Sequence, residues 1–139
     1  ASLLWAVMRQ ESRYDPRARS RSNALGLMQL KLPAASDVAR LLHDPAPVES
    51  TLFEPTRAVR YGACYLAGIL RRYDRSAPVA LAAYNAGPNA VRADWRSLLA
   101  QGGDALYCEF ATNADSQEYA KRICGFRAAY RDLAPRPAE

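Results

Sequence analysis

The sequence has one histidine, three cysteines and no apolar run long enough to span a bilayer. Each shortage removes a class of chemistry. His43 lies in a proline-rich stretch with no second candidate ligand near it, so the usual zinc spacings cannot be met, no histidine is placed for a nucleophilic triad, and His43 reads as a surface residue. Glycine-rich loops that cradle phosphate are also missing. The chain opens on a helical pattern without a basic and hydrophobic leader, so any export signal is expected to have been removed or to lie outside this sequence. What remains for catalysis is a set of carboxylates, tyrosines and amides, and neither a cofactor nor a metal is expected.

At 139 residues, half of them hydrophobic, the chain is expected to form one domain, 1–139, with a core large enough to fold unaided. Lys and Arg total 19 against 14 Asp and Glu, and nearly all the positive charge is arginine, with a local cluster at Arg17, Arg19 and Arg21. That balance favours an anionic partner: nucleic acid, an acidic cell-wall polymer or a membrane surface. Cys64 falls within an apolar helical pattern and reads as a small buried hydrophobe. Cys108 and Cys124 flank a polar, irregular stretch and could form a disulfide, which would contribute about 3 kcal/mol and imply an oxidising compartment; the alternative is three free thiols.

The pattern predicts an all-α chain. Leu4, Met8 and Glu11 fall on one face of a first helix that Asp15-Pro16 stops, because a residue before proline avoids the α region. Residues 17–32 read as a loop entering buried structure, and Pro33 as a first-turn residue of a second helix that reaches Leu42. The proline-rich stretch 43–55 is expected to be an irregular surface connection. Val59, Ala63, Leu66 and Leu70 predict a long helix over 55–73, taken as the central one. Ser76 is expected to cap a short helix that Gly87-Pro88 ends; further helices are expected over 89–99 and 116–131, with a Gly-Gly loop and an irregular piece at 104–115 between them, and a loose tail at 132–139.

Glu11, at the end of an apolar stripe, is the residue whose chemistry burial could change. A half-buried carboxyl has its charged form disfavoured, which suits a general acid near neutral pH. Without further context, a polar residue closing a helix is the simpler reading.

Two segments shift that balance. The stretch from Glu11-Ser12 through Gly26-Leu27-Met28-Gln29 to Pro33, followed by Ala83-Tyr84-Asn85-Ala86-Gly87, resembles the catalytic domain of the soluble lytic transglycosylases, which cleave the glycan strands of bacterial peptidoglycan. The resemblance extends from about residue 3 to about 131. It implies a lysozyme-like helical fold with an open glycan groove and makes Glu11 the single catalytic acid and base. Ser20 then matches a serine near the reacting sugar, Met28 and Gln29 match groove residues, and Tyr84 and Asn85 match a pair whose tyrosine points at the catalytic carboxylate. Glu109, Ala111-Thr112, Asp115-Ser116-Gln117 and Tyr119-Ala120 align with a C-terminal set that includes further groove residues, Asp115 and Tyr119 among them. Asn23 stands where the family has glycine, Ala35-Ser36 replaces a Thr-Ala pair, an Ile-Pro pair is absent, and Asp115 shortens a glutamate by one methylene.

Each of these positions also has a plainer reading. Met28 could be core filler, Tyr84 a packed aromatic, Ser20 and Asn85 turn or capping residues, and Asp115 and Glu109 surface residues. The resemblance implies cleavage of the β-1,4 bond between N-acetylmuramic acid and N-acetylglucosamine with a 1,6-anhydromuramyl product, in the periplasm or cell envelope, with peptidoglycan as the partner and a larger parent protein or cell-envelope assembly as a further one. A goose-type lysozyme-like hydrolase and an inactive peptidoglycan-binding domain are the competing readings. A nucleic-acid binder rests on charge alone, and no basic patch with interleaved aromatics supports it, so nucleic acid is not expected as a partner.

Overall fold

The computed structural model describes residues 2–87, 89, 91, 93–110 and 114–133, which form seven helices and, among the described residues, no strand. They gather into two compact units, Ala1–Tyr65 and Leu66–Glu139, and the division falls inside one long helix.

The first unit begins with α1, Ser2–Ser12, which buries Ala6, Val7, Met8 and Ser12. Its end is set by conformation before the proline acts: Arg13 and Tyr14 sit at φ 52° and 68°, in the left-handed region that breaks a helix. Asp15 then accepts the N–H of Arg17 at 2.8 Å, a side-chain turn that aims the chain into the 17–31 segment. Helix α2, Leu32–Leu41, carries Pro33 in its first turn and buries Ala35, Val38 and Ala39.

The stretch 43–55, expected to be irregular, contains a short helix, α3, Glu49–Phe53. Thr51 Oγ1 accepts from the N–H of Val48 at 3.1 Å, and Leu52 is fully buried beneath the turn. The Glu54 carboxylate accepts from the N–H groups of Thr56 and Arg57 at 3.1 and 3.2 Å and so caps α4, Pro55–Arg72.

The buried face of α4 keeps Leu66 from the expected stripe and is otherwise shifted by one or two positions. Ala58, Tyr61, Leu66 and Ile69 are buried, whereas Val59, Ala63 and Leu70 are only half-buried. Gly62 belongs to this face for a steric reason: a Cβ there would stand 2.4 Å from the Met28 side chain.

In the second unit, the helix enclosed over most of its length is α5, Ala77–Ala86, in which every residue from Ala77 to Ala83 is buried. An all-apolar helix has no solvent face to offer, and small side chains let neighbours approach on every side. It packs against α6, Trp95–Phe110, and α7, Ala114–Leu133, which also pack on each other. The Gly-Gly pair is a kink and not a loop: Gly102 and Gly103 take non-helical angles, Gly103 at φ 63°, and the helix resumes through 104–110, the piece expected to be irregular. Ser76 precedes α5 as expected, yet its hydroxyl donates to Asp104 Oδ1 at 2.7 Å instead of capping the helix, which ties the start of α5 to α6. Tyr73 and Trp95 meet edge to face, with ring centroids 5.4 Å apart.

Candidate active site

In the first unit the site is built on a folded segment, 17–31, held by its own backbone. Leu25 N–H donates to Leu30 O at 2.9 Å, Gly26 N–H to Ala18 O at 2.9 Å, and Ser20 N–H to Ala24 O at 3.0 Å. Gly26 sits at φ 68°, and a Cβ on it would fall 1.8 Å from the Leu52 carbonyl oxygen, so only glycine allows this backbone to lie against α3. Two isolated antiparallel bridges, Arg19 with Leu25 and Leu25 with Leu30, are the extent of its β character.

Glu11 lies in the last turn of α1 and is half-buried. The next residue fixes that turn to the segment: Ser12, 8% exposed, directs its hydroxyl at Leu27 O, 2.9 Å away, and at Met8 O, 3.0 Å away. The backbone of the carboxylate-bearing turn is thereby fastened two residues from Gln29.

Gln29 is half-buried at φ 48°, and its carboxamide Nε2 donates to Ala18 O at 3.1 Å and Gly26 O at 2.9 Å. The amide therefore closes the segment on itself, with its oxygen left as the acceptor. Ser20, half-buried, accepts the N–H of Ala24 on its Oγ at 3.0 Å and touches Ser22 Oγ at 3.1 Å. Met28 is 1% exposed with its side chain against Gly62; it is packed as core and offers no surface to a ligand in this conformation.

The arginine cluster is partly committed. Arg19 forms a two-pronged pair with Glu49, at 2.9 and 2.5 Å, and lies over the Phe53 ring. That pairing holds the Glu49 carboxyl below the usual carboxylate range and raises the Arg19 guanidinium further, each chiefly through the mutual hydrogen bond. His43 is exposed, in a turn at φ 56°.

In the second unit Tyr84 is half-buried and Asn85 exposed in the last turn of α5, just before Gly87 at φ 87° ends the helix. Asp115 is exposed in the first turn of α7, where a carboxylate is favoured by the helix dipole. Tyr119 is buried on α7, and Gln117 donates from Nε2 to Glu109 O at 3.0 Å, while Glu109 pairs with Lys121 at 2.9 Å. Ala111 and Thr112 lie outside the described residues, as does the tail from residue 134.

All three cysteines are free thiols in the structure. Cys108, on α6, has its thiol pushed up to about 11, first by burial and then by the nearby Cys124 on α7, whose own thiol is raised by burial. Among the described residues no group of His, Cys, Asp and Glu could hold a metal ion, and no helix is long and apolar enough to cross a membrane.

Sequence reasoning named the Glu-Ser pair but gave Ser12 no task; its small hydroxyl beside Glu11 on a buried face was the available signal. Gly62 was missed because the side chain it makes room for lies far away in sequence.

Comparison with known proteins agrees with this geometry. The soluble lytic murein transglycosylase of Salmonella typhimurium is 31% identical over 134 residues, covering 94% of this chain and 20% of the relative. That of Escherichia coli is 30% identical over 132 residues, again with 94% of this chain covered. The chain thus spans about a fifth of the length of these curated relatives. Among solved structures, an inactive mutant of the lytic transglycosylase Slt from Pseudomonas aeruginosa superposes with a TM-score of 0.82 at 28% identity, covering 98% of this chain and 22% of its own. The 70 kDa soluble lytic transglycosylase of Escherichia coli gives 0.81 at 26% identity, covering 95% and 22%. The helices and the expected lysozyme-like architecture are therefore shared with these enzymes. Residues 1–105 match the family described as the transglycosylase SLT domain, a span that holds Glu11, Gln29 and Tyr84, and the chain belongs to that family.

Proposed function

We propose that this chain is a peptidoglycan lytic transglycosylase domain in which Glu11 acts alone, first as acid and then as base. The observation that carries this reading is the anchoring of the Glu11 turn: a half-buried carboxylate whose neighbour, Ser12, is hydrogen-bonded to the segment bearing Gln29. A proton-transfer residue has to be held still relative to its substrate, and a buried hydroxyl bonded to backbone does that.

In the proposed reaction, protonated Glu11 donates to the glycosidic oxygen between N-acetylmuramic acid and N-acetylglucosamine. The muramyl acetamido group supports the positive charge that develops at the anomeric carbon. Ionised Glu11 then takes the proton of the muramyl 6-hydroxyl, whose oxygen attacks the anomeric carbon to give a 1,6-anhydro end. Most glycosidases pair two carboxylates. Asp15, the neighbouring candidate, is exposed and its Oδ1 accepts the N–H of Arg17, which suits a turn residue and not a second catalytic group.

Gln29 Oε1 is assigned to accept from the glycan, since its nitrogen is engaged with backbone. Ser20, Tyr84 and Asn85 are assigned to hold the sugar. Asp115 is assigned to contact the glycan. Met28 and Tyr119, also matched to groove residues, are buried, and each is assigned to packing within its own unit. The two units together are taken as one catalytic domain, active in the bacterial periplasm or cell envelope and carried within a longer protein.

The test is clearance of a suspension of purified peptidoglycan. The protein is expected to clear it, and Glu11→Gln, close in shape but unable to exchange a proton in the same way, to leave it turbid. Clearance by Glu11→Gln at the parent rate sinks the assignment.

A further inference from the structure

The proposed reaction leaves two thiols of the second unit without a task, and the packing of α6 on α7 sets them against each other. The two helices run antiparallel. Gln117 Nε2 on α7 donates to Glu109 O on α6 at 3.0 Å, Glu109 pairs with Lys121 at 2.9 Å, and Asp104, further back on α6, acts on Cys124, further along α7. Cys108 stands next to Glu109 on one helix, and Cys124 stands on the face of Lys121, a turn beyond it, on the other. Cys108 accordingly feels both Lys121 and Cys124, and Asp104 acts on both thiols. Asp104, Cys108, Lys121 and Cys124 therefore form one cluster across the helix pair.

Three features suit the two thiols to oxidation. Each is half-buried beside a fully buried neighbour, Tyr107 or Ile123, so packing holds it in place while one side stays open to a reagent. Burial and the facing thiol push Cys108 up to about 11, and burial raises Cys124, so a thiolate is costly on either, and a disulfide would remove both ionisable groups. The third cysteine, Cys64, belongs to the first unit, whereas these two share one interface. The structure holds the pair in its reduced form.

We infer that Cys108 and Cys124 are joined by a disulfide donor in an oxidising compartment, locking α6 to α7 around the loop 109–123 that carries Asp115. One protein thiolate attacks a sulfur of the donor and releases half of it as a thiol, leaving a mixed disulfide. The second protein thiolate attacks the bonded protein sulfur and displaces the other half. Two protein thiols are thereby oxidised, and the donor disulfide is reduced to two thiols, which take up the two protons. Of the function proposed above, this needs only the compartment, and its test reads no cleavage, so either can fail while the other stands.

The experiment holds the reduced, folded chain with oxidised glutathione until the thiol count is constant, blocks remaining thiols with iodoacetamide in denaturant, and maps the peptides. Trypsin cuts between the two cysteines at Lys121 and Arg122, so the bridge is read as a linked pair of peptides. Linked Cys108 and Cys124 peptides with Cys64 alkylated are expected, and a reductant should reverse the link. The bridged protein should melt about 10 °C above the reduced one, and amide exchange over 114–119 should slow. Cys108→Ala and Cys124→Ala should each melt at one temperature with and without reductant. Three alkylated thiols, separate glutathione adducts on Cys108 and Cys124, or a bridge through Cys64 overturns the inference. A fully linked protein with the Tm and exchange of the reduced form overturns the lock. Mapping the parent needs no variant, so poor folding of either alanine protein leaves the test decisive.

Discussion

Replacing Ser12 by alanine tests how the candidate acid is held. The serine is 8% exposed, and its hydroxyl reaches Leu27 O at 2.9 Å and Met8 O at 3.0 Å. Met8 O lies within the helical hydrogen-bond ladder, so losing the serine costs it little. Leu27 O belongs to a buried residue outside any helix, and an acceptor orphaned there costs about 1–3 kcal/mol. Alanine regains about 0.5 kcal/mol through its higher helix propensity. The net destabilisation is about 0.5–2.5 kcal/mol, or a fall of roughly 2–10 °C in Tm for a chain of this size. Because the lost bond anchors the turn bearing Glu11, activity should fall further than stability alone explains. At a temperature where the variant is fully folded, kcat on peptidoglycan should drop at least about tenfold, since small misplacements of a proton-transfer group carry large penalties. Ser50→Ala, at an exposed serine of α3, serves as the control and should lie within about 0.5 kcal/mol of the parent. If Ser12→Ala unfolds with the parent and keeps its kcat, the Ser12 bond does not position the site.

Gly26→Ala should be far more damaging, by more than about 3 kcal/mol in urea unfolding, because alanine is disfavoured at φ 68° and its Cβ would stand 1.8 Å from a backbone oxygen that cannot swing away; a loss under about 1 kcal/mol would mean that this backbone approach is mistaken. Gln29→Glu places a carboxylate against the carbonyls of Ala18 and Gly26 and is expected to destabilise the 17–31 segment and reduce activity together; unchanged hydrogen-exchange protection at Gly26 would argue against that placement. With a pKa of about 11, Cys108 should hold about a thousandth of its thiol as thiolate at pH 8, and iodoacetamide should modify it at least about a hundredfold more slowly in the native protein than in denaturant, read by peptide mass mapping. The same upward shift means that the buried neutral thiol favours the fold below the ordinary thiol pKa and that this contribution is lost as pH rises toward 11.

Helical periodicity carried most of the fold into the sequence, and it failed where one pattern had two meanings. On α4, Val59, Ala63 and Leu70 have the right spacing, but the buried face turns toward Tyr61 and Gly62, which hydropathy alone ranks lower. The innermost helix of the second unit, α5, has little amphipathic contrast because it is apolar all round from Ala77 to Ala83, so a stripe-based reading gives the central place to α4 instead. Gly102-Gly103 signals a break in either case, and only packing against α5 and α7 decides that the chain kinks and resumes as helix. The candidate acid was legible through Glu11-Ser12 and the distant Tyr84-Asn85. The facing of Cys108 and Cys124 was only half legible: their flanking of a polar stretch allows it, and the resumption of α6 as helix through Phe110 brings it about.

The most direct test of the central claim is the mass of the reaction products. Purified peptidoglycan digested with the protein should yield muropeptides lighter by one water than hydrolysis products, ending in 1,6-anhydromuramic acid, and Glu11→Gln should yield none. Products of hydrated mass with reducing ends would contradict the account, because water and not the sugar's own hydroxyl would then have attacked; a full yield of anhydro ends from Glu11→Gln would contradict it equally, because the acid and base would have to lie elsewhere.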